Sequence, residues 1–257
     1  MATRTDPALT RIRAWLTSPI VILIVIALVI AALIGVYRRH RIAVEHAHGQ
    51  AACRVNLALN ASRGDPRPLT TGAPTVAVLG DGLAQGAGLP APRSQAWPAL
   101  LGLREEWTTE VNADERSGFI NGGFCGKERF ARRAAAVAAL HPDVVIVEGG
   151  TSDVGTTSPQ SHKTNIEDSE QAALRQLRSI KTVVVVGPVA TGGKPSSDAQ
   201  ALDAALADRT TKDQRIYVSA LSWPVQFQPN GMDLTPSSDA IFAADLRAAL
   251  HADGVGR

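Results

Sequence analysis

The hydrophobic pattern of the chain begins with a long apolar run at residues 19–37 that contains no charged side chain. About 20 apolar residues are enough to cross a bilayer as a helix, whereas the apolar core of a signal peptide is about 7–15 residues long. No small-residue cleavage site follows the run, and Arg38 and Arg39 come directly after it. The pattern therefore predicts a retained transmembrane helix rather than a buried core helix, with a short N-terminal tail at residues 1–18.

The segment after this span changes character twice. Residues 38–60 keep a helical pattern, whereas residues 61–74 are rich in glycine, proline and polar side chains, which is typical of a linker. We expect a juxtamembrane helix and linker at residues 38–74, followed by a folded domain at residues 75–253.

From residue 75 onward, short apolar runs alternate with longer helical stretches. The predicted strands lie at residues 76–79, 108–111, 144–147, 182–186 and 215–218, and the predicted helices at residues 94–106, 127–140, 167–179, 197–209 and 237–249. This alternation predicts an α/β domain with a flavodoxin-like, three-layer α/β/α arrangement and a parallel sheet. The wholly apolar runs at 144–147 and 183–186 fit central strands that are buried on both faces.

Composition excludes some classes of function. The formal net charge of +2 and the lack of a basic stripe with interleaved aromatic residues argue against a nucleic-acid partner. No Cys/His spacing typical of a metal site occurs, so we expect neither a metal ion nor a cofactor.

Candidate chemistry lies at the ends of the predicted strands. In a parallel sheet of this kind the ligand crevice lies beyond the carboxyl ends of the strands. The sequence places three polar, glycine-containing segments there: residues 80–82, residues 148–153 and residues 230–246.

These segments and their flanks resemble the SGNH (GDSL) hydrolase superfamily. "VAVLGDGLAQGAGL" at residues 76–89, "HPDVVIVEGGTSD" at 141–153 and "NGMDLTP" at 230–236 are similar to the first, third and fifth sequence blocks of that family. The resemblance covers residues 75–250. It implies a parallel sheet covered by helices and an ester hydrolysis in which a serine is the nucleophile and a histidine is the general base.

The departures from the family fall on its catalytic positions. The resemblance places Gly82 where the family has the nucleophilic serine, and Ser152 where it has the asparagine that stabilises the oxyanion. It places Asn230 at the position of the aspartate that orients the histidine, and Asp233 at the position of the histidine itself. We therefore expect no catalytic residue at these four degenerate positions.

The crevice itself should persist without this chemistry. The glycine donor of the family's second block corresponds to Ser117 or to Gly118. The residues that we expect in the crevice are Asp81, Gly82, Gly118, Gly150, Ser152, Asp153 and Asp233.

The sequence thus predicts an SGNH-hydrolase-like domain without catalytic activity that binds or scaffolds at the cell envelope, with an envelope glycan or a protein as its partner. One alternative is an active esterase or acetyl-hydrolase with a rearranged site, for which His162 in a predicted loop is a candidate base. A second is that Asp81, Asp153 and Asp233 hold a hard cation such as Mg²⁺ or Ca²⁺. A third is a purely structural subunit of a membrane complex.

The side of the membrane on which the domain lies determines the expected redox state of the chain's two cysteines, Cys53 and Cys125. Arginines flank the apolar span equally on both sides, so the positive-inside rule does not decide the orientation. Because a short N-terminal tail before a large domain usually stays inside, we expect a single-pass protein of the cytoplasmic membrane with its C-terminal domain outside. In an oxidising compartment the two cysteines could form a disulfide or remain two thiols.

A stripe of small residues also runs along the apolar span. Ala27, Ala31 and Gly35 follow one another at intervals of four residues and share one helix face. Such a stripe lets two membrane helices pack closely, so a homodimer through this helix is one interpretation, and chance in an alanine-rich helix is the other.

Overall fold

The computed structural model describes residues 19–61, 72–155 and 159–256. The chain divides into two compact units, Met1–Ala51 and Ala52–Arg257. Helix α1, Pro19–Ala61, contains the segment Leu23–Arg41, which is long and apolar enough to cross a membrane, with a mean hydropathy of 1.9. This is a result of length and composition alone, and an N-terminal signal sequence passes the same test.

The second unit is built on a five-stranded, fully parallel sheet with strand order β2-β1-β3-β4-β5. The strands are β1 Thr75–Gly80, β2 Thr108–Ala113, β3 Val144–Glu148, β4 Thr182–Val186 and β5 Ile216–Val218. Val78 lies opposite Val111 on one side and Ile146 on the other. The order 2-1-3-4-5 is that of flavodoxin-like folds, in which ligands bind where the strand order reverses, here between β1 and β3.

Helices cover both faces of the sheet. In chain order they are α2 Gly82–Gln85, α3 Pro92–Gln95, α4 Trp97–Glu105, α5 Phe130–Ala138, the 3-10 turn Thr151–Asp153, α6 Pro159–Gln176, α7 Ser197–Lys212 and α8 Pro236–Ala252. Because successive side chains of a strand point to opposite faces, Val76 and Val78 pack under α4 and α8, whereas Ala77 and Leu79 pack under α5, α6 and α7. The predicted three-layer α/β/α fold is confirmed.

The apolar runs at β3 and β4 occupy the middle of the sheet, as predicted. Val145, Ile146 and Val147 have almost no exposed surface, and neither do their neighbours in β4. Fully burying a side chain of this size contributes about 1.5–3 kcal/mol relative to leaving it exposed. These two strands therefore form the centre of the domain and fix the edge at which the functional segments meet.

Some predicted boundaries were wrong. The helix expected at residues 94–106 is two helices, because Ala96 is extended and Pro98 is accommodated only in the first turn of a new helix. The helix expected from residue 127 begins at Phe130, since Glu128 and Phe130 donate backbone hydrogen bonds to the preceding loop.

Helix α6 begins at Pro159, eight residues before the predicted start, because proline is tolerated at a first helical position. His162 therefore lies on a helix instead of in the predicted loop, and the orientation of its side chain is outside the described part. Most of the predicted linker, residues 62–71, also lies outside the described residues.

Candidate functional site

A cleft of about 200 Å³ opens at the carboxyl ends of β1 and β3. Of the residues expected in the crevice, Asp81, Gly82, Ser152 and Asp233 line it. The others that line it are Leu83, Glu115, Arg116, Asn121, Thr151, Thr191, Gly231 and Met232. Four of the seven residues expected in the crevice thus line this cleft, together with eight other described residues.

The position of the family's nucleophile lies at the end of β1. Asp81 caps helix α2, and its Oδ1 accepts the backbone N–H of Leu83 over 2.8 Å. The next residue, Gly82, carries no side chain, and a Cβ atom there would lie 3.2 Å from Cγ of Glu115. The capping hydrogen bond holds this turn, and Gly82 offers no side-chain oxygen at this point.

Ser152 approaches the same point from the 3-10 turn after β3. Its hydroxyl donates a hydrogen bond to Oδ2 of Asp81 over 3.2 Å, which ties the side chain to the cleft floor. A serine hydroxyl in this arrangement does not offer the two amide donors of an asparagine.

Asp153, the next residue, does not line the cleft. Its carboxyl group is buried and accepts three backbone N–H groups, those of Phe119 and Asn121 over 2.8 Å and that of Ile120 over 3.1 Å. Burial raises the pKa of Asp153, and the three amides act against this rise. The prediction that Asp153 lies in the crevice was wrong, because its side chain organises the neighbouring loop.

The buried carboxyl group of Asp153 also explains why residue 118 of that loop is a glycine. A Cβ atom on Gly118 would lie 2.3 Å from Oδ2 of Asp153, and the N–H of Gly118 donates to the carbonyl of Asn121 over 3.0 Å. Gly118 is therefore not a free donor in the crevice.

The other glycine that was expected in the crevice, Gly150, does not line it either. It has φ of 104° and packs against Pro188 and Leu202, so the left-handed backbone explains its identity.

Ser117, the other residue aligned with the donor glycine, is also engaged. Its hydroxyl donates to the carbonyl of Asp114 over 2.6 Å and accepts from the guanidinium of Arg133. The Arg133 guanidinium is buried below the cleft and also donates to the carbonyls of Gly80 and Asn112. Ser117 is thus part of the scaffold under the site.

Asn230 and Asp233 form a hydrogen-bonded pair of side chains. The side-chain amide of Asn230 donates to Oδ2 of Asp233 over 2.7 Å, and its carbonyl oxygen accepts the backbone N–H groups of Met232 and Asp233. The pair joins the two positions at which the family has its aspartate and histidine, with an amide in place of one group and a carboxyl in place of the other.

Two carboxyl groups are buried beneath the cleft. Glu148 ends strand β3 with no exposed surface, and its pKa is raised well above the usual range by burial and then by the charge of Asp81. Burial also raises the pKa of Asp81, whereas the Leu83 amide and the Ser152 hydroxyl lower it. The neighbouring pair therefore favours retention of a proton. Glu148 begins the polar segment 148–153 that the sequence placed at a strand end, but no sequence pattern assigned this residue a role of its own.

The rim of the cleft carries opposite charges from consecutive residues. The guanidinium of Arg116 lies over the ring of Phe124, 5.2 Å from its centroid, and contacts the sulfur of Met232. The pKa of Glu115 is raised, first by burial and then by the charge of Asp233. Both Glu115 and Arg116 come from a loop after β2, so no strand-end motif indicated them.

Among the residues that the structure describes, the usual hydrolytic side chains do not converge at this cleft. The cleft lining in the described part of the chain has no histidine or cysteine, and its hydroxyl groups are those of Thr151, Ser152 and Thr191. Among the described residues, no group of three histidine, cysteine, aspartate or glutamate side chains is placed to hold a metal ion. The three-carboxylate hypothesis fails because Asp153 faces the loop amides.

A disulfide joins helix α1 to the loop between β2 and α5. The structure joins Cys53, near the end of α1, to Cys125 in the loop that leads to α5, with the two sulfur atoms 2.05 Å apart. Both cysteines are partly exposed.

The fold matches solved structures of esterases. A carbohydrate acetylesterase from Sinorhizobium meliloti, Est24, aligns with a TM-score of 0.56 and 14% identity over 70% of this chain and 99% of its own. The aryl esterase of M. smegmatis aligns with a TM-score of 0.56 and 16% identity over 70% of this chain and 99% of its own. No curated protein matches the chain in sequence. The model of the GDSL-like lipase/acylhydrolase family matches residues 78–251, and the chain belongs to this family.

Proposed function

We propose that this protein is a membrane-anchored, SGNH-hydrolase-like domain of the cell envelope that binds a ligand in its cleft without hydrolysing it. The observation that carries the proposal is Gly82, which stands where the family has its nucleophile and offers no oxygen at the end of β1. A hydroxyl nucleophile must lie beside a base and face an oxyanion site, and this first requirement is missing.

The remaining positions support the same proposal. Asp233 replaces the general base and is held by Asn230, and Ser152 replaces the oxyanion amide and is bonded to Asp81. Disabling such a triad costs up to about 10⁶-fold in rate, and losing one oxyanion donor costs about 10²–10³-fold. The combined loss brings the expected rate close to that of the uncatalysed reaction.

The chemistry of the cleft suits a hydroxyl-rich ligand. Its walls offer the carboxyl groups of Glu115 and Asp233, the amide of Asn121 and the Arg116 guanidinium, all of which can exchange hydrogen bonds with sugar hydroxyls. One solved structure with this fold is named as a carbohydrate acetylesterase. We therefore propose an envelope glycan as the ligand, with an envelope protein as the alternative.

The envelope location rests on two features of the chain. Residues Leu23–Arg41 are apolar enough for a membrane span, and a disulfide between Cys53 and Cys125 would persist in an oxidising compartment. Both features favour a domain outside the cytoplasmic membrane.

A second candidate function is an esterase with a rearranged site. It is favoured by one observation, the hydrogen bond from the Ser152 hydroxyl to the carboxyl group of Asp81 inside the cleft. A carboxylate with a raised pKa is a better proton acceptor than an ordinary one, so this pair is the place where new hydrolytic chemistry would arise.

The test compares the two functions directly. The full-length protein, purified in detergent, is assayed with p-nitrophenyl acetate and butyrate between pH 5 and 8 against a heat-denatured sample. We expect no turnover above that control. Turnover that is abolished by Ser152→Ala, and retained in the exposed control Ser219→Ala, would contradict the proposal and establish the rearranged esterase. Binding is then measured by retention on isolated envelope glycan, with Asp233→Ala expected to reduce it.

A further inference from the structure

The loop between β2 and α5 has two separately held parts. Its inner part, residues 119–121, is fixed by the buried carboxyl group of Asp153, which accepts three consecutive backbone N–H groups. Asn121 also extends its side chain to the carbonyl of Ser152 over 3.3 Å and lines the cleft. The inner part is therefore coupled to the core of the domain.

The outer part, residues 122–126, is held at its first residue, Gly122, which accepts the backbone N–H of Glu128 over 2.9 Å and forms an antiparallel bridge with Ser117, whereas residues 123–126 make mainly local hydrogen bonds. Gly126 donates to the carbonyl of Gly123 over 3.1 Å, and the N–H of Gly123 donates to Oδ1 of Asn121 over 3.2 Å, so both bonds stay within the loop. Gly123 and Gly126 have φ of 67° and 70°. Glycine has the largest conformational entropy in a disordered chain, so this segment needs an external restraint to keep one conformation.

That restraint is the disulfide. Cys125 lies in the middle of the outer part and is bonded to Cys53 of helix α1. The residue before it, Phe124, presents its ring to the guanidinium of Arg116, 5.2 Å from the ring centroid. Arg116 lines the cleft. The disulfide, the neighbouring ring of Phe124 and the guanidinium of Arg116 therefore form a series of contacts that ends in the cleft.

We propose that the Cys53–Cys125 disulfide is a redox-sensitive tie that fixes the position of Arg116 in the cleft through Phe124. The inference rests on the proposed function only in taking the cleft as a binding site. A dithiol reductant supplies two electrons and two protons, the S–S bond breaks to give two thiols, and the reductant becomes a disulfide. Residues 123–126 then lose this restraint, while Asp153 keeps residues 119–121 in place and Gly122 keeps its contacts with Ser117 and Glu128.

The Cys53–Cys125 disulfide is accessible to a dithiol reductant. Both cysteines are partly exposed, and exposed disulfides are the more readily reduced ones. The aromatic contact depends on the ring staying in place, because a cation–π attraction requires the cation within about 6 Å of the ring centroid. Loosening the outer loop therefore separates Phe124 from Arg116 and changes the charge presented at the rim.

Hydrogen exchange of the full-length protein in detergent tests the first step. Oxidised protein is compared with dithiothreitol-treated protein and with the variant Cys53→Ser/Cys125→Ser. We expect peptides covering residues 122–126 to exchange at least about tenfold faster without the disulfide, and those from β3 and β4 to be unchanged. Equal exchange in the loop, or faster exchange throughout the sheet, would overturn the proposal, since the bond would then have no local role.

Modification of Arg116 by phenylglyoxal, followed by peptide mass spectrometry, tests the second step. The rate should rise several-fold without the disulfide, while exposed Arg104 reacts at its original rate. The variant Phe124→Leu should raise the Arg116 rate with little change in loop exchange, because it removes the ring and keeps the tie. An unchanged Arg116 rate in both variants would overturn the coupling. Ester turnover by the protein would contradict the proposed function and leave these results intact.

Discussion

The side-chain amide of Asn230 donates a hydrogen bond to Oδ2 of Asp233 over 2.7 Å, at the two positions where the family has its aspartate and histidine. The structure joins these two positions directly, through an amide and a carboxyl group. An amide–carboxyl pair positions a side chain, but it contains no imidazole.

The first prediction concerns rebuilding the catalytic site. The single change Gly82→Ser should give little or no ester hydrolysis, because its hydroxyl would meet Asp233 instead of an imidazole and Ser152 instead of an amide. The fourfold change Gly82→Ser, Ser152→Asn, Asn230→Asp, Asp233→His should recover more than the sum of its single changes, since catalytic groups that act as a unit are strongly non-additive. The rate of p-nitrophenyl acetate hydrolysis measures this. High activity from Gly82→Ser alone would show that a working base is already present.

The second prediction concerns topology. Protease added to intact spheroplasts should degrade residues 75–253, because the domain is proposed to lie outside the membrane. An antibody against the C-terminus follows the loss, and a cytoplasmic marker protein controls for intact cells. Full protection of the domain until detergent is added would contradict the outward orientation.

The third prediction concerns the stability contributed by the disulfide. Cys53 and Cys125 are 72 residues apart in sequence, and the chain-entropy model gives about 4 kcal/mol for closing a loop of this size. The variant Cys53→Ser/Cys125→Ser should lower the free energy of unfolding by up to this amount, measured in urea at a fixed detergent concentration. Mass mapping without reductant on protein from its native host should show the two cysteines joined, and two free thiols would contradict the prediction.

The fourth prediction concerns pH dependence at the interface of α6 and α7. Burial raises the pKa of Glu170 to about 8, although the hydroxyl of Thr210 donates a hydrogen bond to it and lowers the pKa in part. The folded-state pKa lies above the unfolded one, so the folded state holds the extra proton between pH of about 4.5 and 8. Stability should therefore fall as pH rises through this window.

The variant Glu170→Gln should flatten that slope, because glutamine does not titrate and can still accept from Thr210. Urea unfolding at pH 5, 6.5 and 8 measures the effect. The difference between the wild type and the variant should grow with pH, in favour of the variant. If the free energies of unfolding of the wild type and the variant changed with pH in parallel, Glu170 would not be the source of the pH dependence.

The fifth prediction concerns the buried carboxyl group of Asp153, which holds the loop at residues 119–121. The variant Gly118→Ala should destabilise the domain by about 1–3 kcal/mol, because its Cβ would lie 2.3 Å from the buried carboxyl group of Asp153. The matched control Gly49→Ala, where no atom lies within 4 Å, should be neutral or slightly stabilising in its helix. Thermal unfolding compares the two. If the Gly118→Ala variant were as stable as the control, the Asp153 carboxyl group and its loop could move aside at little cost, which would contradict the prediction.

Local patterns in the sequence were sufficient for the architecture and for the place of the cleft. The period of apolar residues predicts β3 and β4 as central strands, since a strand buried on both faces has no polar alternation. The blocks around Gly82 and Ser152 predict the two strand ends that meet at the cleft, because parallel strands bring their carboxyl ends to one edge. The uncharged run at residues 19–37 predicts a membrane helix by length alone.

The tertiary structure alone decided the direction of the side chains and which loop forms the wall. Asp153 follows Ser152 directly, yet it turns into the loop amides of residues 119–121, because buried N–H groups must find acceptors. Arg116 reaches the cleft from a loop that is hydrogen-bonded to Asp153 and, through Cys125, covalently joined to Cys53, far away in sequence. Contacts of this kind join residues with no periodic relation in the chain, so they arise only when the sheet has assembled.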